Sequence, residues 1–227
     1  MIALVDADIL AYRVAAAAEN ETEETALETI SSFVEDLMLF DLEDVFNFEF
    51  FLTGKNNFRF DIAVTAPYKG NRKDKQKPQH LPLMRDYFVY AYGAKVSEGQ
   101  EADDDIAIRA TELGANGCII VSLDKDFRQI PGWHYNFVKR EKTWVTQEEG
   151  IKFFYQQILM GDSADNIKGA PGIGEKKALK LLADANTEQE LYRCCVEVMG
   201  EERVLEDARL LWLRRYPNQM WEPPNEV

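Results

Sequence analysis

The sequence predicts an α/β fold: a mostly parallel central sheet flanked by helices, followed by a helical subdomain. Three observations carry that expectation. The short unbroken apolar runs Ile2-Ala3-Leu4-Val5 and Gly117-Cys118-Ile119-Ile120-Val121-Ser122 read as strands buried on both faces. Segments with apolar residues at helical spacing alternate with such runs. From Gly161 onward the periodic signals are all helical. At 227 residues, 46% hydrophobic and 29% charged, the chain is long enough and apolar enough to bury a sizeable core.

Taken in order, Ile2–Val5 is a first strand ending in Asp6-Ala7-Asp8. Thr22 to Leu39 places Leu27, Ile30, Phe33, Val34, Leu37 and Met38 on a helical period. Phe48–Leu52 is a second strand, followed by Thr53-Gly54. Lys55 to Pro82 keeps no apolar period, and loops of that length in compact domains tend to be functional or disordered. A helix over Leu83–Tyr92, a short strand at Ala94–Val96 and a helix over Ala102–Leu113 come next. Tyr135–Val138 and Thr143–Val145 read as an antiparallel edge pair. Thr146-Gln147-Glu148-Glu149 has the capping-box pattern and starts a helix reaching Met160. Helical runs follow at 175–184, 187–199 and 202–214. The expected organisation is therefore a core over residues 1–160, including the basic loop 55–82, and a helical subdomain over 161–227.

The formal net charge of −14 argues at first sight against nucleic acid. Its distribution argues the other way. Residues 19–49 hold eleven acids and no Lys or Arg, whereas residues 55–77 hold seven bases against Asp61 and Asp74. Residues 168–180 hold four lysines against Glu175. Local basic surfaces of this kind can bind a phosphate backbone on a net-acidic protein. Three cysteines without metal-ligand spacing fit a reducing interior. The apolar start is cut short by Asp6 and Asp8, too soon for a membrane span, so a cytoplasmic protein without membrane contact is expected.

Acids gather at four places where strands end or helices begin: Asp6 with Asp8; Glu101, Asp103, Asp104 and Asp105; Asp124 with Asp126; Asp162 with Asp165. A single acid at such a point is usually a helix cap. Parallel strands, however, bring their C-terminal ends to one rim, where several carboxylates repel unless cations neutralise them. Hard divalent ions with oxygen ligands are the natural partners, and two of them can promote phosphodiester hydrolysis. The stretch Gly169-Ala170-Pro171-Gly172-Ile173-Gly174 then opens a lysine-bearing helix, a turn that presents backbone N–H groups to a phosphate.

Asp6, Glu101-Ala102-Asp103-Asp104, Asp124-Lys125-Asp126 and Gly161-Asp162-Ser163-Ala164-Asp165-Asn166 resemble, in order and spacing, the metal-ligand motifs of the 5′-nuclease family. That family comprises flap endonucleases, short phage-encoded exonucleases and the 5′-nuclease domain of bacterial DNA polymerase I. Gly169 to Ala178 is similar to its helix–three-turn–helix element, and Tyr68-Lys69-Gly70-Asn71-Arg72 to the base of its helical arch. The resemblance covers most of residues 1–185 and implies a PIN-like core. It also implies a metal-dependent 5′→3′ exonuclease or flap endonuclease acting on DNA duplexes with a 5′ end or flap, RNA–DNA hybrids included, as a monomer. By the same resemblance Asp6, Glu101, Asp103 and Asp104 match ligands of a first Mg²⁺ or Mn²⁺, and Asp124, Asp126, Asp162 and Asp165 those around a second. Lys69 and Arg72 match contacts to the scissile phosphate, and Tyr68 an aromatic stacking near the terminal nucleotide. Lys73, Lys168, Gly172, Gly174, Lys176 and Lys177 match DNA contacts, with K⁺ at the Gly169–Gly174 hairpin. A phage source would place the protein in a host cytoplasm.

One departure stands out. The family's second strand usually ends Leu-Asp-Gly, where this chain has Leu52-Thr53-Gly54, and Asp8 and Asp61 are the acids that could compensate. Thr53 motivates an alternative, a structure-specific DNA-binding protein with a weakened catalytic site. Asp6-Ala7-Asp8 also resembles the nucleophile pair of haloacid-dehalogenase-like phosphohydrolases, a reading that leaves the basic loop and the glycine hairpin without a role.

Overall fold

The computed structural model describes residues 1–73 and 75–225, so Asp74 of the basic loop lies outside it. The chain forms two compact units, Met1–Asn57 with Gln76–Val145, and Phe58–Lys75 with Thr146–Val227.

The first unit is built on a six-stranded sheet in the order β3-β2-β1-β4-β5-β6. Its strands are β1 (Ile2–Asp6), β2 (Asn47–Lys55), β3 (Lys95–Glu98), β4 (Cys118–Val121), β5 (Gly132–Asn136) and β6 (Glu141–Val145). All neighbours are parallel except β5 and β6, which pair antiparallel from Gly132↔Val145 to Asn136↔Glu141. The expected edge pair is thus present. It starts three residues earlier than expected at β5, because Trp133 pairs with Trp144 and their rings pack edge to face at 5.2 Å.

Alternation along the central strands divides the core. Ala3 and Val5, Phe50 and Leu52, and Ile119 and Val121 face one cluster with α1 (Ala7–Ala17), α2 (Glu23–Asp36) and α4 (Leu81–Tyr92). Leu4, Phe51 and Ile120 are also buried, on the side where α5 (Ala102–Leu113) packs on β1, β2 and β4. Helix α1 is an addition to the elements that periodicity predicts. Its start is marked by Asp6, whose side chain accepts from the Ile9 N–H, and its buried face is mostly small: Ala7, Leu10, Ala11, Val14 and Ala15. Alanine is the best helix former but a weak periodicity signal. The helix expected to reach Leu39 leaves α geometry at Leu37, where one turn of π-helix carries it to Asp41.

The second unit holds α3 (Arg59–Ile62), α6 (Gln147–Met160), α7 (Glu175–Leu181), α8 (Glu188–Met199) and α9 (Glu201–Leu211). Thr146 and Glu149 close the expected capping box at α6. Phe154, Tyr155, Ile158 and Leu159 of α6 then share a core with Leu191, Cys195, Val204 and Ala208. The compact units therefore do not divide the chain at residue 160. The apolar face of α6 packs on α8 and α9, and it carries its helix with them. Residues 58–75 of the basic loop join the same unit. Arg59, 1% exposed, donates from Nε to the Leu210 carbonyl (2.9 Å) and from Nη2 to that of Trp212 (2.8 Å). Arg214 stacks its guanidinium 3.7 Å from the Phe58 ring centroid.

Gly161 (φ +70°) and Gly169 (φ +58°) stand back to back at the end of α6. A Cβ on Gly169 would collide with the backbone of Gly161 and Met160. Gly172 has φ +71° but open space around it. Gly169→Ala is therefore expected to lower the melting temperature sharply, by the equivalent of more than about 3 kcal/mol. Gly172→Ala costs only the left-handed conformation, about 1 kcal/mol. Thermal denaturation of both variants checks the ordering.

Candidate active site

In the first unit the C-terminal ends of the parallel strands carry three of the four expected acid sites, those at Asp6, at Glu101 to Asp105 and at Asp124 with Asp126, whereas Asp162 and Asp165 belong to the second unit. Asp6 ends β1 and is 4% exposed; Glu101, the residue before α5, is 8% exposed, and Asp104 is fully buried. A reciprocal capping box joins Glu101 and Asp104, with the Glu101 N–H donating to Asp104 Oδ2 at 3.2 Å. Asp103, partly exposed, projects from the same first turn. Asp105 serves the scaffold, accepting from Ser97 Oγ and Gln100 Nε2, both at 2.5 Å.

Past β4, Ser122 Oγ donates to Asp6 Oδ2 (2.8 Å) and accepts from the Asp124 N–H (3.0 Å). Asp124 in turn accepts from the Asp126 N–H at 2.9 Å, starting a short 3₁₀ turn over Lys125–Gln129. Ser122 therefore ties the acid of β1 to the acids after β4. Its signal in the sequence is only its place, one residue past an apolar run.

Thr53 sits at the same rim without a charge. Its N–H donates to Asp8 Oδ2 (2.6 Å) and its Oγ1 accepts from the Ala102 N–H (3.0 Å). Arg85 pairs with Asp8 and donates to the Thr53 carbonyl. Asp8 is thus already neutralised by an arginine, and Asp61 belongs to the other compact unit. Among the described residues no three His, Cys, Asp or Glu side chains converge to cage an ion by themselves. The donors on the rim are all carboxylate oxygens. That fits Mg²⁺, which keeps several waters and uses one or two carboxylates plus substrate phosphate rather than an all-protein cage.

In the second unit the basic residues 67–72 are zipped to residues 163–166. The Lys69 N–H donates to the Asp165 carbonyl (2.9 Å), Asn71 Nδ2 to that of Ser163 (2.7 Å), and Arg72 Nε to that of Ala164 (2.9 Å). Asn166 Nδ2 returns a bond to the Pro67 carbonyl at 2.9 Å. The Asp165 carboxylate receives Tyr68 Oη (2.8 Å) and Arg72 Nη2 (2.5 Å), with Lys69 Nζ at 3.8 Å. Lys69 (φ +51°) and Asn166 (φ +63°) both hold the left-handed conformation, local strain of the kind stored at working sites. Asp162, 4% exposed, folds its own loop by accepting from the Ala164 N–H at 2.6 Å.

Tyr68 corrects one expectation. It is 4% exposed, with its ring edge-on to Phe60 at 5.5 Å and its hydroxyl on Asp165, so it anchors the strip and offers no free face for stacking a nucleotide. Lys73 and Lys176 are exposed; Lys168 donates to Asn166 Oδ1 and Lys177 to the Gly172 carbonyl, both at 2.8 Å. A Cβ on Gly172 or Gly174 would meet nothing within 4 Å, so the backbone at both can be approached closely.

Sequence reasoning also missed Glu206 and Asp207 on α9. Glu206 accepts from the N–H groups of Val64 (2.8 Å) and Thr65 (2.7 Å) and from Thr65 Oγ1 (2.5 Å). Burial opposes the Glu206 charge, but the Thr65 donors outweigh it and hold the carboxyl below its usual range. Asp207, 1% exposed, pairs with Arg203 at 2.9 Å and accepts from the Gly169 backbone; burial dominates and raises its pKa from 3.8 to about 6. One helix therefore fixes both the start of the basic strip and the glycine hairpin.

A parallel sheet with carboxylates at its C-terminal rim, in a chain whose helical unit carries a basic strip and a glycine hairpin, defines a nuclease-type α/β class. DNA polymerase I of Bacillus caldotenax is 33% identical over 175 residues, 67% of this chain and 19% of the polymerase. DNA polymerase I of Bacillus subtilis is 31% identical over 224 residues, 88% of this chain and 25% of that protein. Flap endonuclease Xni of Shewanella sediminis is 35% identical over 141 residues, covering 55% of this chain and 54% of Xni. The chain thus spans a quarter or less of these polymerases and about half of Xni. No protein-family model matches it. Among solved structures, the D15 protein of bacteriophage T5, co-crystallised with metal ions, aligns with a TM-score of 0.68 at 18% identity, over 92% of this chain and 88% of that one. The catalytic core of Rad2 with DNA substrate aligns with a TM-score of 0.52 at 15% identity, over 81% and 60%. Those two share the fold. Over most of its length the chain is similar to proteins of the 5′-nuclease family.

Because Asp207 titrates higher folded than unfolded, the folded state binds the extra proton between about pH 4 and pH 6. Its unfavourable contribution is fully present above pH 6 and is relieved as pH falls through that window. Asp207→Asn is expected to remove this component, so that stability falls less with rising pH between pH 4 and 6 than in the wild type. Urea denaturation across that range checks it.

Proposed function

We propose that the chain is a divalent-metal-dependent 5′→3′ exonuclease and structure-specific flap endonuclease that hydrolyses phosphodiester bonds in DNA. The observation that carries this reading is the burial of Asp6, Glu101 and Asp104, at most 8% exposed, on one rim of a parallel sheet. Carboxylates so placed and so little solvated call for cations. Asp6, Glu101, Asp103 and Asp104 are the carboxylates among which the one or two ligands of a first Mg²⁺ or Mn²⁺ are proposed to lie, with Asp124 and Asp126 serving a second. When bound, such ions stabilise the charge that develops on phosphoryl oxygens and on the leaving group.

The chain's own residues do the rest. Ser122 and the Glu101–Asp104 capping box orient the carboxylates. Lys69 and Arg72, held on a rigid strip by Asp165, supply fixed cations for a substrate phosphate, a preorganised form of electrostatic stabilisation. Lys73, Lys168, Lys176, Lys177 and the backbone of Gly172 and Gly174 suit a duplex backbone, whose affinity would fall steeply with salt. For Asp162 and Asp165 the assigned work is to fold and anchor this strip. K⁺ is proposed at the Gly169–Gly174 hairpin.

Support comes from relatives named flap endonuclease and 5′-3′ exonuclease, the latter from Buchnera aphidicola at 34% identity, and from neighbours crystallised with metal ions or DNA. A duplex with a 5′ end or flap, an RNA–DNA hybrid as a further substrate, action as a monomer, and a cytoplasmic setting complete the proposal. No helix among the described residues is long and apolar enough to cross a membrane. The uncharged Thr53 favours a second reading, a structure-specific DNA-binding protein with little turnover.

Cleavage of end-labelled 5′-flap, nicked and blunt DNA separates the two. With Mg²⁺ or Mn²⁺ the wild type is expected to release products from the 5′ side, and EDTA to abolish them. Asp103→Ala and Asp124→Ala should each cut the rate at least ~100-fold, and Lys69→Ala by a similar factor. Tight flap binding with no product under any metal would establish the binding protein instead.

A further inference from the structure

We infer that Thr53 and Arg85 are positioning residues for the carboxylates on the first turn of α5. This rests on the metal-dependent reading above and adds to it the part that aims the ligands. Four elements of the first unit are joined in a single chain of hydrogen bonds. Asp8 in the first turn of α1 pairs with Arg85 of α4, and Arg85 Nη2 also donates to the Thr53 carbonyl at 2.5 Å. The Thr53 N–H donates to Asp8 at 2.6 Å, so the peptide groups on both sides of Thr53 are held. With its backbone fixed, the β-branched side chain has few rotamers. Its Oγ1 is left aimed at the Ala102 N–H, 3.0 Å away.

That N–H is one of the donors a helix start leaves without an intrahelical partner. The Glu101 and Asp104 side chains are committed to each other's backbone in the capping box. The Ala102 N–H is instead satisfied from β2. It belongs to the peptide between Glu101 and Ala102, so Thr53 fixes a peptide that bears Glu101 directly and lies one residue before Asp103. The position of β2 in the sheet is thereby transmitted to two carboxylates on another element.

The geometry argues for aim rather than stability. Asp8 and Arg85 are 28% and 30% exposed, and partly exposed ion pairs contribute little to folding. Hydrogen bonds that orient metal ligands matter far more to the metal, typically 10–100-fold in affinity. Mg²⁺-type ions are especially demanding, since they require near-octahedral ligand placement.

The test compares wild type with Thr53→Val, Thr53→Ser and Arg85→Met in two measurements. Amide hydrogen exchange at Ala102 is read without metal or DNA, and Mn²⁺ affinity is read by the electron paramagnetic resonance signal of free Mn²⁺. Thr53→Val, near-isosteric but without the acceptor, should speed exchange at Ala102 and weaken Mn²⁺ about tenfold while melting stays close to wild type. Thr53→Ser should restore both. Arg85→Met, which breaks the chain at its far end, should shift Mn²⁺ affinity in the same direction as Thr53→Val. Wild-type Mn²⁺ affinity in Thr53→Val, or a Thr53→Ser variant no better than Thr53→Val, overturns the inference. Because the exchange measurement needs no turnover, absence of cleavage in the wild type would remove the nuclease reading and leave the Ala102 result to stand or fall separately.

Discussion

The first unit depends on a conflict between topology and charge. A parallel sheet collects the C-terminal ends of its strands on one rim, and this chain puts acids at or just past the ends of β1, β3 and β4. Carboxylates with a few per cent of their surface in water repel one another strongly and lose solvation as well. The structure answers by giving Asp6, Glu101, Asp104 and Asp124 donors that fix their direction. Ser122 serves Asp6, the capping box serves Glu101 and Asp104, and the Asp126 N–H serves Asp124. Acids that do not belong to the rim's chemistry are engaged elsewhere: Asp8 pairs with Arg85, and Asp105 takes hydrogen bonds from Ser97 and Gln100. What remains is a set of oriented oxygen donors suited to hard cations.

The second unit solves the opposite problem, holding cations in place. Lys69 and Arg72 are long, flexible side chains that would cost entropy to order on a substrate. Here the strip that bears them is bound along its length, by Glu206 at Thr65 and by residues 163–166 at residues 67–72. Arg59, buried and bonded to the end of α9, secures the strip where it begins. The glycine hairpin is fixed to the same helix through Asp207. The two features suited to phosphate are therefore carried by one compact unit, and their spacing is set by α9.

Much of this was legible in the sequence. Unbroken apolar runs marked the buried strands, and acids just past them marked the rim, because burial and strand direction leave direct traces in residue order. The capping box at Thr146 marked the start of α6 to the residue. What the sequence could not convey is partnership across long separations. Nothing near Tyr68 announces Asp165, and nothing near Thr65 announces Glu206, 141 residues away. Tyr68 is the instructive case: an aromatic in a basic loop suggests stacking, and only its burial shows it to be an anchor. The helix α1 escaped because alanine packs well yet hardly alters a periodicity count, and the unit boundary because α6 reads equally well as the last helix of either unit. Thr53 looked like a loss of a ligand; its hydroxyl and backbone prove to be engaged on three sides.

The most direct test is an anomalous difference map from crystals grown with Mn²⁺. The account predicts a peak at coordination distance from carboxylate oxygens among Asp6, Glu101, Asp103 and Asp104. A protein that binds Mn²⁺ elsewhere and leaves that rim without a peak would contradict it.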